Sequence, residues 1–352
     1  MQLKQALIKQ SLLITEKKNK MNIPIKIAGL GFQVPETVIA NDDLTKILDT
    51  SDEWIKTRTG IERRHVLSGN ENAVDLAVSA SKKALEKSKI NPEDIDYIIA
   101  AASLGTHIYP SCACEIQGAL GAVNAACFDI TAACSGLIYA MNLAKSLISS
   151  GAAKNILLAA AEGLSRCLDW TDRSTCVLFG DGAGAVMLTV SDDGQDDIPA
   201  VSVKSMGHLG HLIQMPTPGR NCPLAAPNDE PQMFIKMEGK EVYKFVVTQL
   251  PGYIEECVKK SGLSFDEIDY LVPHQANMRI IEALEKRLGF APERVITNIE
   301  EYANTSAASI PIALVEGIQK GKMKLPCTAV LTGFGAGMTI GSAVVRLREG
   351  IV

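Results

Sequence analysis

The chain has 352 residues, too many for one small core, so two domains or two fused halves are the expectation. Apolar residues make up 47% and charged residues 21%, the balance of a globular enzyme, and a net charge of −5 argues against general nucleic-acid binding. No apolar run reaches membrane-spanning length, so no membrane partner is expected, and nine scattered cysteines without a secretory signal fit a reducing cytoplasm.

Residues 1–20 carry five Lys and one Glu around Leu and Ile and are set aside as a flexible N-terminal extension. A strand-like run follows from Ile23 to Ala28. Lys87–Ile99 then reads as a helix end, an acidic turn and a buried strand. Cys112-Ala113-Cys114 is a close cysteine pair with no His or second pair at metal spacing, so no metal site is expected. Cys134 stands in Thr131-Ala132-Ala133-Cys134-Ser135-Gly136, at the head of an apolar helical run from Leu137 to Ile148 that Gly151 stops. A thiol there faces the positive end of the helix macrodipole, which is expected to favour its thiolate. The strand Asn155–Ala160 comes next. Gly180-Asp181-Gly182-Ala183-Gly184-Ala185 fits a dinucleotide-binding spacing, but it leads into the strand-like Val186–Val190 rather than a helix, so a tight turn is expected and not a nucleotide site.

The polar stretch Ser191–Asp197 marks a boundary near residue 195, because the chain then repeats itself. Lys260–Val272 matches Lys87–Ile99 at an offset of 173 residues, while Cys134 and Asn304, like Gly151 and Gly321, are 170 apart. Two halves are therefore expected, 21–195 carrying the nucleophilic Cys and 196–352 carrying His and Asn. His274, in Pro273-His274-Gln275-Ala276-Asn277, follows the second copy of the repeated strand. A helix from Met278 to Leu288 comes after it. Asn304 opens Asn304-Thr305-Ser306-Ala307-Ala308-Ser309, before a helix from Ile310 to Gln319 and a strand from Thr328 to Leu331. Gly333-Phe334-Gly335-Ala336-Gly337 leads into the strand Ser342–Leu347, and its bare N–H groups suit an oxyanion. If the halves pack face to face, Cys134, His274 and Asn304 meet at a shared centre. His65, His107, His208 and His211 sit in charged or loop-like settings and are read as structural.

From about Met21 onward the chain resembles the β-ketoacyl-acyl carrier protein synthase III family. The resemblance is carried by Ala132–Gly136, Pro273–Asn277, Asn304–Ser309, Gly333–Thr339, Phe179–Gly184, Thr50–Ile55 and Arg58–Ile61. Members are thiolase-fold condensing enzymes that start type II fatty-acid synthesis. The resemblance implies an α/β, thiolase-like fold of two duplicated halves whose sheets sandwich central helices. It implies decarboxylative Claisen condensation of a short acyl-CoA with malonyl-acyl carrier protein through an acyl-Cys134 intermediate. His274 and Asn304 complete the catalytic trio, and the backbone N–H groups of Cys134 and Ala336 form the oxyanion hole. Trp54, Arg58, Arg173 and Asn277 are implied CoA contacts, Tyr109 an acyl-pocket residue, and Lys244, Arg279, Lys286 and Arg287 the patch for the acidic carrier protein. No metal or redox cofactor is implied, and a cytoplasmic homodimer is.

Three residues depart from the family pattern: Tyr109 stands where Phe is frequent, Ile340 where Trp is, and Ala303 where Gly precedes the Asn. They bear on the starter acyl group rather than on the reaction. An alternative reading is a related condensing enzyme or acyltransferase with an unusual acyl substrate in secondary metabolism. A third, a non-catalytic thiolase-fold partner subunit, predicts loss of the trio, and all three residues are present.

Overall fold

The computed structural model describes residues 23–103, 105–216, 224 and 234–352. The extension assigned to residues 1–20 lies outside them. Two sheets organise the chain, and they share one plan. The first runs Ile25–Gln33, Gly182–Val190, Ile156–Glu162, Tyr97–Ala102, Ala126–Ile130, the first two pairings antiparallel and the rest parallel. In the second, Ala200–Ser205, Thr339–Leu347, Cys327–Gly335 and Tyr270–Pro273 follow in the same sense. Its fifth position is a single parallel bridge between Leu271 and Val295. Tyr97 lies opposite Ile156 and Tyr270 opposite Ala329, so the repeat offset of 173 carries through to the strand register.

Between the sheets lie the helices Gly136–Ser149 and Ser309–Gln319. The second is buried on every side from Ser309 to Gly317, as an all-round apolar helix must be. Leu137, Ile138 and Met141 of one helix and Ile310 and Leu314 of the other share a core with Leu158 of the first sheet and Leu331 of the second. Each such side chain contributes about 1.5–3 kcal/mol by leaving water. Amphipathic helices close the outside: Ala73–Ser88 and Cys112–Leu120 over the first sheet, Gly239–Lys260 and Met278–Leu288 over the second. The result is five layers, helix, sheet, helix, sheet, helix, which is the duplicated α/β arrangement expected from the repeat. No described helix is both long and apolar enough to cross a membrane.

The scarcity of aromatic residues has its reason at the central layer, where glycines let backbones touch. A Cβ at Gly184 would stand 2.2 Å from Pro311 Cγ, and one at Gly341 would stand 2.7 Å from Ile138 Cβ. Gly184 thus belongs to a close strand–helix contact and no helix opens after the glycines, so no nucleotide motif is present; the expected tight turn is instead the start of the strand Gly182–Val190, where close packing requires a small residue. Asp181 beside them is buried and accepts Leu67 N–H at 2.7 Å and Ser165 N–H at 2.8 Å, pinning two loops.

Candidate active site

Cys134 sits in a single 3-10 turn, Ala133–Ser135, that feeds the helix Gly136–Ser149. Ala133 before it has φ 47°, and Ala303 before Asn304 has φ 55°, so each corner is turned by a non-glycine residue in the left-handed region. The likeness between the corners is not complete. The two central helices start 173 residues apart, at Gly136 and Ser309, so the strict counterpart of Cys134 is Ala307. Asn304 enters the centre from three residues earlier, where its N–H and C=O join Leu178 O at 3.0 Å and Gly180 N–H at 3.1 Å.

Asn304 Oδ1 accepts the Ser306 N–H at 2.8 Å, which leaves the Nδ2 end as the donor toward the cavity. His274 follows the strand Tyr270–Pro273 and is anchored by its N–H on Thr332 O at 2.7 Å. Its Nδ1 lies 2.7 Å from Ser309 Oγ, which also receives the Gln275 N–H at 3.4 Å. With the Ser309 hydroxyl donating to Nδ1, the imidazole carries its proton on Nε2. Phe334 packs edge-on against the ring at 5.4 Å.

Gly333–Gly335 are the end of a strand rather than a free turn, and the reversal falls at Ala336–Met338. This strand end lies on the Cys134 backbone. A Cβ at Gly335 would be 2.6 Å from Cys134 N, and one at Gly333 would be 3.3 Å from Cys134 O and 3.6 Å from His274 Cβ. Hydroxyls tie the two loops together: Ser135 Oγ lies 2.8 Å from Ala132 O and 2.9 Å from Thr339 Oγ1, which in turn lies 3.0 Å from Ala336 O. Gly335→Ala is therefore expected to push the reversal away from Cys134, lowering stability by about 1–3 kcal/mol as overpacking does. It is also expected to cut the acylation rate by roughly 10²-fold, as loss of an oxyanion donor does. A thermal melt and an acylation time course check both.

Burial works against the thiolate that the helix start favours. Burial pushes Cys134 up to about 12, the nearby Glu162 carboxyl adding to the rise and the Ser306 hydroxyl opposing it. Cys134 keeps some exposure at the cavity wall, so the helix start and the loss of water act on its thiol in opposite directions. Burial also holds His274 down to about 3, so the ring is neutral.

One cavity of about 870 Å3 contains Cys134, His274, Asn304 and Ala336 together with Trp54, Arg58, Arg173, Asn277 and Arg279. Trp54 is held by the helix Asp52–Thr59, whose N-cap Ser51 accepts its N–H at 3.1 Å. The Arg58 and Arg173 guanidinium groups lie 5.0 and 5.2 Å from its ring centre. Asn277 caps Met278–Leu288 by accepting the Arg279 N–H at 2.9 Å and donates to Arg58 O at 3.1 Å, leaving a second Nδ2 hydrogen for a ligand. Lys244, Lys286 and Arg287 are exposed and lie outside this cavity, as does Tyr109, which is 88% exposed. Ile340 and Ala303 are buried core residues. The other four histidines do not line the cavity: His65, for instance, stacks on Tyr302 and His107 pairs with Glu115.

Sequence reasoning passed over Ser103, Ser306 and Lys240, which line the cavity, and Ser309 and Glu162 behind it. Glu162 left one trace, a lone carboxylate closing an otherwise apolar strand.

Comparison with known proteins agrees with this arrangement. Residues 128–207 match the family model of 3-oxoacyl-[acyl-carrier-protein] synthase III, and residues 258–347 match that of its C-terminal part. The β-ketoacyl-[acyl-carrier-protein] synthase III of Clostridium perfringens is 47% identical over 322 residues, covering 92% of this chain and 99% of the relative. The crystal structure of 3-oxoacyl-[acyl-carrier-protein] synthase III from Aquifex aeolicus VF5 superposes with a TM-score of 0.84 at 43% identity, covering 92% of this chain and 99% of that one. The priming β-ketosynthase of the R1128 polyketide pathway gives a TM-score of 0.87 at 30% identity, over 94% of this chain and 98% of that one. With a duplicated fold, a cysteine, a histidine and an asparagine in one cavity, and relatives of this closeness, the chain belongs to the 3-oxoacyl-[acyl-carrier-protein] synthase III family, and it is an acyl-transferring condensing enzyme of the thiolase fold.

Proposed function

We propose that this enzyme joins a short acyl-CoA to malonyl-acyl carrier protein in two half-reactions at one cavity, starting fatty-acid synthesis. The observation that carries the reading is the convergence of Cys134, His274 and Asn304 on a single cavity with the Cys134–Ala336 backbone beside them. In the first half-reaction Cys134 attacks the acyl thioester, the oxyanion rests on the N–H groups of Cys134 and Ala336, and CoA leaves. In the second, malonyl-acyl carrier protein loses carbon dioxide. His274 Nε2–H and Asn304 Nδ2–H then donate to the thioester oxygen as it gains enolate charge, and the carbanion attacks the acyl group on Cys134. Both donors suit the task because neither carries charge nor titrates near neutral pH. The chemistry calls on no metal and no redox cofactor.

The mouth supports a CoA nucleotide end. Trp54 offers a flat face to adenine, and Arg58 and Arg173 offer charge to phosphates. Arg173 lies 5.2 Å from the Trp54 centroid and an adenine stacked between them needs roughly 7 Å, so Arg173 lifts from the ring, and from its ion pair with Asp49, when CoA binds. Arg279 lines the rim, donating to Thr57 O at 3.0 Å, and with exposed Lys244, Lys286 and Arg287 suits an acidic carrier protein. The edge strand Ala126–Ile130 and the exposed Tyr109 favour a two-fold dimer in which Tyr109 serves the partner's acyl pocket.

Incubation with a panel of acyl-CoAs, followed by intact mass and peptide mapping, tests the reading. One acyl group per chain on Cys134 is expected, and the preferred chain length names the starter. No adduct on folded protein from any thioester overturns it.

A further inference from the structure

We propose that Glu316, buried on the central helix Ser309–Gln319, is a positioning residue that sets Asn304 against His274 for the decarboxylation step. The inference rests on His274 and Asn304 being the enolate donors.

The helix Ser309–Gln319 is otherwise apolar where it is buried, and its buried polar side chains are Ser309 and Glu316. They lie about two turns apart and so share one face. Ser309 Oγ meets the His274 ring at Nδ1, 2.7 Å away. Glu316 is 5% exposed, and its two oxygens take different residues of the segment that leads to Asn304. Oε1 accepts the Tyr302 O–H at 2.8 Å, and Oε2 accepts the Asn298 Nδ2–H at 3.1 Å. Lys320, about one turn further along the helix, closes on Oε1 at 2.6 Å.

These links run on to both donors. Asn298 donates its N–H to Gln275 Oε1 at 3.1 Å, and the Gln275 side chain donates to Pro273 O at 2.7 Å and Ile296 O at 3.2 Å. Pro273 and Gln275 flank His274. At the other end, only Ala303 separates Tyr302 from Asn304, and its φ of 55° leaves that joint little freedom. The Tyr302 ring stacks on His65 at 5.3 Å and meets Phe32 edge-on at 6.2 Å, which fixes the direction of its hydroxyl. Asn298 C=O accepts the Glu301 N–H at 3.1 Å and the Tyr302 N–H at 3.2 Å, closing the turn between the two anchor points. One carboxylate thus grips this turn at both ends, with the His274 loop beyond one end and Asn304 beyond the other.

Stability alone does not call for a carboxylate here. A well-packed apolar residue of similar volume serves a core as well or better. What it cannot do is receive donors from two ends of one turn. Burial acts to raise Glu316, but hydrogen bonds from Lys320, Tyr302 and Asn298 outweigh it, so the group stays ionised and accepts from all three. The nucleophile is held elsewhere, by the Gly335 strand end and the Ser135–Thr339 contact, so acylation does not depend on this grip. A donor misplaced by about 1 Å loses of order 10²-fold in rate.

The test separates the half-reactions. Single-turnover acylation is followed by intact mass, and decarboxylation of malonyl-acyl carrier protein is followed for kcat and KM, in wild type, Glu316→Leu, Glu316→Gln, Tyr302→Phe and Asn304→Ala, each with a thermal melt. Glu316→Leu and Tyr302→Phe are expected to lower kcat for decarboxylation by about 10- to 10²-fold, with KM and the acylation rate within about threefold of wild type. Glu316→Gln keeps both links, its oxygen accepting from Asn298 and its amide donating to Tyr302 Oη, so it stays within about threefold of wild type in both half-reactions. Unchanged decarboxylation in Asn304→Ala removes the donor pair itself, and this proposal with it. With Asn304→Ala slow, a wild-type kcat in folded Glu316→Leu or Tyr302→Phe overturns the role of Glu316 alone. So does an equal loss in both half-reactions, which marks a structural carboxyl, and so does a Glu316→Gln enzyme as slow as Glu316→Leu.

Discussion

Cys134→Ala is expected to abolish acyl-enzyme formation and to reduce condensation by at least about 10⁴-fold, while malonyl-acyl carrier protein is still decarboxylated. The sulfur is the only atom removed that takes part in bonding to the acyl group. The donors for enolate charge stand on other elements: His274 after the strand Tyr270–Pro273, with Ser309 behind it, and Asn304 on a bridge to Phe179. Alanine also keeps the local shape, because the turn Ala133–Ser135 is held by backbone and by the Ser135–Thr339 contact rather than by the thiol. The melting temperature is expected to stay within a few degrees of wild type, the change being a small volume loss at the cavity wall. Intact mass with acyl-CoA, a decarboxylation assay and a melt distinguish the outcomes. An unchanged adduct in the variant would place the nucleophile elsewhere, yet among the described cysteines Cys134 alone lines the cavity.

What was legible in the sequence follows from what is local. The helix Met278–Leu288 was readable to both ends because its stripe, its Asn277 cap and its Gly289 stop are all neighbours in the chain. The two halves were readable because a repeated segment carries its own evidence, and the five-layer order follows once each half must bury an apolar helix. Cys134, His274 and Asn304 stood out as polar residues in apolar or small surroundings. The burial of the thiol was not legible: a helix start argues for thiolate, and only the assembled cavity shows the loss of water that opposes it. Glu162 was missed for a related reason. Its partner Ala307 lies 145 positions away, and a single carboxylate at a strand end says nothing until its surroundings are known.

The corners also show how duplication was bent to asymmetric use. The helices Gly136–Ser149 and Ser309–Gln319 start in register at the 173-residue offset, yet Asn304 stands three positions ahead of the place equivalent to Cys134, with Thr305 and Ser306 between. Those residues let Asn304 project from a bridged loop while Ala307, at the place equivalent to Cys134, turns its N–H to Glu162. Ala303 carries the cost of the bend at φ 55° with its methyl fully buried, which glycine would avoid.

Asn304→Asp is expected to have the opposite profile to Cys134→Ala: acyl-Cys134 forms, and decarboxylation falls by more than about 10³-fold at neutral pH. The aspartate keeps the link that orients residue 304, since one carboxylate oxygen accepts the Ser306 N–H as Oδ1 does now. Its other oxygen then stands where Nδ2 donated, and an anion faces the enolate. Losing one donor alone costs about 10²–10³, and repulsion in a dry site adds to that. The pH dependence carries the sharper test. In wild type, His274 is held down at about 3, so it stays neutral above that value, and the Asn304 amide does not titrate. Wild-type decarboxylation is therefore expected to be flat from about pH 5 to 9, with no step near the usual histidine value of about 6.5. In the variant, burial favours the protonated acid, which donates as the amide did, so the rate rises as pH falls. A variant that decarboxylates at the wild-type rate and without pH dependence would remove Asn304 from the donor pair. A variant that loses acylation as well would show that the segment Asn304 orients through the Ser306 N–H, rather than the amide donor alone, had been disturbed.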